Sequence, residues 1–464
     1  MFDQQIYVQR RSRLTQQMKS GVALFLGNME SPMNYRDNTY RYRQDSTFLY
    51  FFGLDFPGLA GVIDFDSGRE YIFGNDVDID DIIWMGPQVP LRDNALRSGV
   101  SETAPLEKLE EFLSGVVRQG RRVHFLPPYR GENKLWLDQL LGLSPARQSG
   151  YASVELIRAV VALRSVKEPC EIEELKRACA TGYEMHLTVM KMARPGVREQ
   201  EIAGIMEGIA VAGGGMPSFP VILTQNGETL HNHNHSQRLQ KGRLVLTDAG
   251  AESLLHYASD FTRTVPVGGK FSPKQREIYE IVLAANNRAR ELIRPGVPFL
   301  SIHLEACEVI AAGLKELGLM KGDVKEAVRQ GAHALFFPHG LGHMLGLDAH
   351  DMEDLGQIYV GFDEEIRPST QFGTAALRLG RRLEPGFVVT DEPGIYFIPA
   401  LIDQWERNKT NAEFICFDKV NEYRDFGGIR LEDNILVTET GAEIIGQRVP
   451  VDPGEVERIV LENQ

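Results

Sequence analysis

The sequence predicts an α/β (α+β) protein in two parts, an α/β domain over residues 1–160 and a larger domain over 161–464 built on a duplicated unit of helices and antiparallel strands. Three observations carry this. Apolar runs in the first third alternate between strand and helix periods. A four-residue turn motif recurs one hundred residues apart in the second part. Short aliphatic runs in that part end in single carboxylates.

In the first part, GLAGVIDFD (58–66) and REYIF (69–73) flank Ser67-Gly68 and read as a strand hairpin. LEKLEEFLSGVV (106–117) has apolar residues at helical spacing, and VHFLP (123–127) reads as another strand. The charged stretch RSVKEPCEIEELKR (164–177) leads into a long helical pattern and puts the boundary near 160.

In the second part, Arg194-Pro195-Gly196-Val197 recurs as Arg294-Pro295-Gly296-Val297. Each copy follows one helical pattern and precedes another. The following helices align without gaps: Ile202 with Ile302, Ile209 with Val309, Gly213 with Gly313. Pro-Gly ends a helix and forces a turn, so the unit reads as a duplicated helix-turn-helix with its strands. Ser272-Pro273 and Ser301 are expected to start the two helices flanking the second copy.

Composition bounds the function. The net charge of −14 argues against a nucleic-acid or anionic-membrane surface. No run approaches the length of a membrane span, and MFDQQIYVQRRSRL lacks the apolar core of a signal peptide. Cys170, Cys179, Cys307 and Cys416 are scattered without CxxC pairing, which fits reduced thiols and a cytoplasmic setting.

Five segments then stand out. LVLTDAG (244–250) ends near Asp248, and YASDFTRTVPV (257–267) brings Asp260. HGLGHMLGLDAHD (339–351) brings His343, VVTDEPGIYF (388–397) brings Glu392, and GGIRLEDNILVT (427–438) brings Glu432. Four of the five read as strands or strand ends, which hold a metal constellation rigidly. Four carboxylates and one imidazole suit hard or borderline ions such as Mn2+, Co2+ or Zn2+. Four converging negative charges call for cations, and two divalent ions balance them. Such a pair holds a water that ionises near neutral pH and polarises a carbonyl under attack. His339 and His343 form HxxxH without a zincin glutamate, and the glycines between them argue against a helix.

These segments resemble the pita-bread metallopeptidases of the aminopeptidase P and prolidase (Xaa-Pro dipeptidase) branch. YRQDSTFLYFFGLDFPGLAGVID (42–64) is similar to the non-catalytic N-terminal domain of that branch. The resemblance implies metal ligands Asp248, Asp260, His343, Glu392 and Glu432, with Asp260 and Glu432 bridging two divalent ions, Mn2+ foremost. It implies a substrate-binding role for His231, a supporting role for His339, and contact of His350 with the substrate carbonyl. Glu392 is then the proton relay, and Arg430 buttresses the site. The implied substrates are short peptides with proline second, and the implied assembly is a homodimer in which one N-terminal domain shapes the partner's cleft. Asp348 and Asp351 are expected to be structural.

Two departures from the family pattern stand out. Asp248 and Asp260 are twelve residues apart where the family has eleven, which calls for an extra residue in the hairpin around Glu252–Leu255. HNHNH (231–235) has three histidines where one is usual; His231 is taken as the functional one, His233 and His235 as polar loop residues. Phe336, Phe337 and Tyr396 are candidates for an apolar wall against the proline ring, with core packing as the competing reading. Peptide length stays open. Long intervals between His343, Glu392 and Glu432 lean towards a dipeptidase, as does Arg378, which falls where prolidases pair an arginine with a dipeptide carboxylate. Arg381 and Arg382 beside it fit a solvated face instead. A catalytically silent binding or chaperone module is the rival class, and a phosphotriesterase side activity suits the same metal chemistry.

Overall fold

The computed structural model describes residues 1–463. The chain forms two compact units. The first is Met1–Arg164 with the segment Glu353–Tyr359, and the second runs through Ser165–Met352 and continues from Val360. Residue 160 lies inside the helix Val154–Ser165, and the units divide near its C-terminal end.

The first unit is a five-stranded sheet in the order Glu102–Ala104, Glu70–Phe73, Ala60–Asp64, Val22–Leu26, Val123–Phe125. The hairpin at its centre pairs Ala60 with Phe73 and Ile63 with Glu70. Leu109, Leu113 and Val116 of the helix Lys108–Arg118 are buried, the four- and three-residue spacing of an amphipathic face. Asp45 caps the helix Ser46–Phe52 by accepting from the Phe48 N–H at 2.8 Å, and Phe51 and Phe52 pack on Phe25. Two buried arginines of the helix Gln4–Gln17 close the other end of that helix. Arg10 donates to the Tyr50 carbonyl at 3.0 Å and Arg11 to the Phe51 carbonyl at 2.7 Å.

In the second unit the repeat is physical. Helices Pro169–Met192 and Glu199–Ala212 meet at Gly196 with φ 90°; helices Pro273–Leu292 and Phe299–Glu316 meet at Gly296 with φ 80°. The same hydrogen bonds close both turns. Gly196 N–H donates to Leu239 and Gly296 N–H to Leu383, each at 2.8 Å. A Cβ at Gly213 would meet Thr181 at 2.8 Å, and one at Gly313 would meet Ile281 at 2.6 Å, so each helix pair touches through a glycine at the same place. His186 and Asn286, one hundred apart, each bond a strand carbonyl, Ala249 at 2.9 Å and Asp391 at 3.1 Å. One copy supplies the sheet Phe261–Pro266, Leu244–Ala249, Ile222–Thr224, and the other Val388–Asp391, Asp433–Val437, Ala442–Ile444.

Ser272 caps its helix as expected, with Gln275 completing the reciprocal pair. Ser301 does not cap. The helix starts at Phe299, and the Ser301 hydroxyl donates back to the Pro298 carbonyl at 2.7 Å, because the preceding Pro298 already fixes the turn.

Candidate metal centre

The hairpin Leu244–Ala249 and Phe261–Pro266 builds one wall. Asp248 faces Thr262 and Ala249 faces Phe261. The same register continues to Glu252 opposite Ala258, so the additional residue sits at the tip, Ser253–Tyr257, where His256 has φ 66°. Side chains alternate along a strand, so Asp248, Asp260 and Thr262 stand on one face. Glu432 joins them: its N–H donates to the Thr262 carbonyl at 3.0 Å.

His343 comes from a segment that ladders onto the strand Val388–Asp391. Thr390 N–H donates to the His343 carbonyl at 3.0 Å, and Glu392 N–H to that of Leu341 at 2.8 Å. Gly342 lies so close to this strand that a Cβ would run into the Thr390 carbonyl oxygen. The glycines therefore serve a backbone-on-strand contact, and the stretch is not helical.

The five residues converge. His343 Nε2 lies 3.5 Å from Asp260 Oδ2 and 3.8 Å from Glu392 Oε1. Asp260, His343 and Glu432 each present an atom within 4.8 Å of the other two. Arg430 Nη2 holds Asp248 Oδ2 at 2.6 Å. Four of the five are buried, and Glu392 is partly open, with 18% of its side chain exposed.

This sequence and geometry match known proteins. The model for metallopeptidase family M24 covers residues 173–439, and that for the aminopeptidase P N-terminal domain covers 7–124. The chain belongs to metallopeptidase family M24. It is 33% identical to the Xaa-Pro aminopeptidase of Escherichia coli, over 98% of both chains, and 29% identical to the human Xaa-Pro dipeptidase, over 95% of this chain and 90% of that one. Among solved structures, the E. coli aminopeptidase P with the inhibitor Pro-Leu superposes with a TM-score of 0.80 at 31% identity. The Pseudomonas aeruginosa aminopeptidase PepP does so at 0.81 and 29%. Each match covers 100% of this chain and 99% of the other.

M24 membership brings use of divalent metal, and the residues present fit it. Asp248 Oδ1 and Asp260 Oδ1 are buried without a hydrogen-bond partner, which is costly unless a cation satisfies them. Burial foremost, then the charge of Asp248, raises the Asp260 carboxyl well above the usual range. Burial and then Asp260 do the same to Glu432. Burial pushes Glu392 up to about 7 against the opposing pull of His343. The pocket holds protons where cations fit.

The candidate site also fixes tautomers. His343 Nδ1 faces the Met344 carbonyl at 3.0 Å; a carbonyl only accepts, so Nδ1 carries the proton and Nε2 offers its lone pair to the carboxylates. His339 Nδ1 likewise donates to the Gly340 carbonyl at 2.8 Å, so its Nε2 accepts from the Tyr396 hydroxyl at 2.8 Å. That hydroxyl accepts from Arg430 Nη1 at 2.8 Å. Burial, then Arg430, lowers His339 to about 3, keeping it neutral. Two threonines that the sequence reading missed complete the network. Thr262 Oγ1 accepts from Arg430 Nε at 3.0 Å and donates to Glu432 Oε2 at 2.8 Å; Thr390 Oγ1 accepts from the His343 N–H at 3.1 Å. Each lies two residues from a candidate ligand, on the same strand face, and that period was the available signal.

The remaining candidates lie around this pocket. His350 packs edge-on against His343 with ring centroids 4.3 Å apart. His231 is exposed. Its basicity is lowered by partial desolvation, then by the charges of Arg430 and, more weakly, Arg378. Arg378 is half-buried and His233 exposed. His235 spends both ring nitrogens on the carbonyls of Leu223 and Val221, at 3.0 and 3.1 Å, pinning its loop to a strand. Asp351 pairs with Lys167 at 2.9 Å, both side chains 1% exposed. Phe336 and Phe337 are fully buried, and Phe336 packs on Phe397.

Proposed function

We propose that this chain is a proline-specific metallo-exopeptidase that hydrolyses the Xaa-Pro bond at the N-terminus of short peptides. The observation that carries the reading is the convergence of Asp248, Asp260, His343, Glu392 and Glu432 around unpartnered, buried carboxylate oxygens. The names of the relatives, Xaa-Pro aminopeptidase and Xaa-Pro dipeptidase, support the bond specificity. The five residues would hold two divalent ions, Mn2+ before Co2+ or Zn2+. Bound there, such ions supply an ionised water and a Lewis acid for the scissile carbonyl.

The protein's own groups do the rest. Glu392, partly open, takes a proton from the attacking water and hands it to the departing prolyl nitrogen. His350, beside His343, supports the carbonyl oxygen as it gains charge. His231 contacts substrate at the mouth. Neutral His339 and Tyr396 hold Arg430, and Arg430 holds Asp248. In the dipeptidase reading, Arg378 binds the carboxylate of a dipeptide. Residues 1–160 form the non-catalytic domain and 161–464 the catalytic one. Four free cysteines favour the cytoplasm, and among the described residues no helix is long and apolar enough to cross a membrane. A homodimer is supported by the helix Ile79–Met85, where Ile79, Ile83 and Met85 are exposed beside Trp84 at 87%.

The test is hydrolysis by metal-stripped protein, before and after Mn2+, on Ala-Pro and Ala-Pro-Ala side by side. Cleavage of Ala-Pro alone makes the chain a dipeptidase and gives Arg378 its role. Cleavage of both makes it an aminopeptidase with an open cleft. Cleavage of neither by metal-loaded protein rejects the reading in favour of a silent binding module.

A further inference from the structure

A second cluster of ligand-type side chains shares no residue with the first. His303 and Cys307 stand four apart on the helix Phe299–Glu316, hence on one face. His333 reaches them from the short turn Ala332–Leu335. All three are fully buried. His303 Nε2 lies 3.6 Å from Cys307 Sγ, and one atom from each residue lies within 4.8 Å of the other two. His303 Nδ1 and both ring nitrogens of His333 have no hydrogen-bond partner; the Val328 carbonyl acts on His333 but lies outside hydrogen-bonding geometry.

We propose that His303, Cys307 and His333 bind one borderline-soft divalent ion of the zinc class. Both ring nitrogens of His333 are buried and unpartnered, and an ion gives one of them a partner while joining His303 Nε2 to Cys307 Sγ. An imidazole nitrogen and a thiolate sulfur on one tetrahedral zinc are roughly 3.6 Å apart, from bond lengths of about 2.0–2.1 and 2.3 Å. The observed separation of 3.6 Å needs little adjustment. Burial keeps both imidazoles neutral, with His303 lowered to about 3 and His333 to about 4, so their lone pairs are available. Burial holds the Cys307 thiol protonated. Binding therefore exchanges one thiol proton for one S–metal bond and releases that proton to solvent. Thiolate selects zinc-class ions over Mn2+, so this site and the oxygen-rich one differ in preference. The ion ties the helix to the turn from which the chain runs on to His339. Phe337 lies between, its ring 5.6 Å from His303 and 4.8 Å from His339.

The test uses the full chain expressed in Co2+-supplemented medium, so that the buried site fills as the protein folds. Co2+ bound to thiolate gives a near-ultraviolet charge-transfer band that an oxygen-and-imidazole site lacks. The expected result is that band in the unaltered protein, retained in Asp260→Asn and lost in Cys307→Ala and His333→Phe. Retention in Asp260→Asn separates this proposal from the peptidase reading. Should both cluster variants fail to fold, cobalt X-ray absorption of the unaltered protein decides by one sulfur neighbour. Absence of the band or of sulfur in the unaltered protein, or a band that survives Cys307→Ala, overturns the proposal.

Discussion

Thr262 carries more than its size indicates. Its single hydroxyl accepts from Arg430 and donates to Glu432, joining the residue that holds Asp248 to a second carboxylate. Thr262→Val keeps the volume and deletes both bonds. Metal affinity should fall by about 10–100-fold, the usual effect of removing a partner that orients a ligand. Mn2+ titration of the purified variant measures this, and unchanged affinity would remove Thr262 from the network. Asp260→Asn and Glu432→Gln go further: each should lose bound metal and nearly all turnover. Near-wild-type activity with metal retained, by metal analysis beside the peptide assay, would sink the two-ion assignment.

At the scale of elements, three glycines distinguish two kinds of constraint. Around Gly196 and Gly296 there is open space, so Gly196→Ala and Gly296→Ala strain only the backbone, at φ 90° and 80°. Each should cost about 1–2 kcal/mol in urea unfolding and leave peptide hydrolysis intact, because the added methyl meets no atom within 4 Å at either turn. Equal costs would match the paired hydrogen bonds of the two turns. Gly342→Ala is different in kind, since its Cβ meets the Thr390 carbonyl and not a side chain that can rotate away. The strand and the His343 segment must separate, so both melting temperature and metal content should drop. A variant that melts and binds metal normally would show that this contact does not position His343.

For the whole molecule, charge links stability, pH and metal. Without cations, burial and like charge raise Asp260, Glu432 and Glu392, the last from 4.5 to about 7. A carboxyl that holds its proton more tightly when folded stabilises the fold below its unfolded pKa. It loses that contribution as pH rises through the folded value. Bound cations replace it. The rise in melting temperature on adding Mn2+ should therefore be larger at pH 8 than at pH 5. Buried His186, lowered to about 4 by burial foremost, is neutral in the fold at both pH values and adds little to the difference. A Mn2+ effect that shrinks with rising pH would contradict this electrostatic account.

The fold class, the hairpin of the first unit, the duplicated turns and the five converging residues were all legible in the chain itself. Strand and helix periods, Pro-Gly turns and single carboxylates at strand ends are local signals, readable within a dozen residues. The helix start at Phe299 instead of Ser301 was lost because two plausible start signals lie three residues apart. Other features needed the folded molecule. Glu432 meets Thr262 across 170 residues and Arg430 meets Asp248 across 182. His339 stays neutral because a desolvated pocket, and then the charge of Arg430, surround it. His303, Cys307 and His333 become neighbours because a turn packs onto a helix. No period or motif spans such distances. Pairings of this kind are decided by how helices and sheets close-pack, and packing depends on the shapes of many side chains at once.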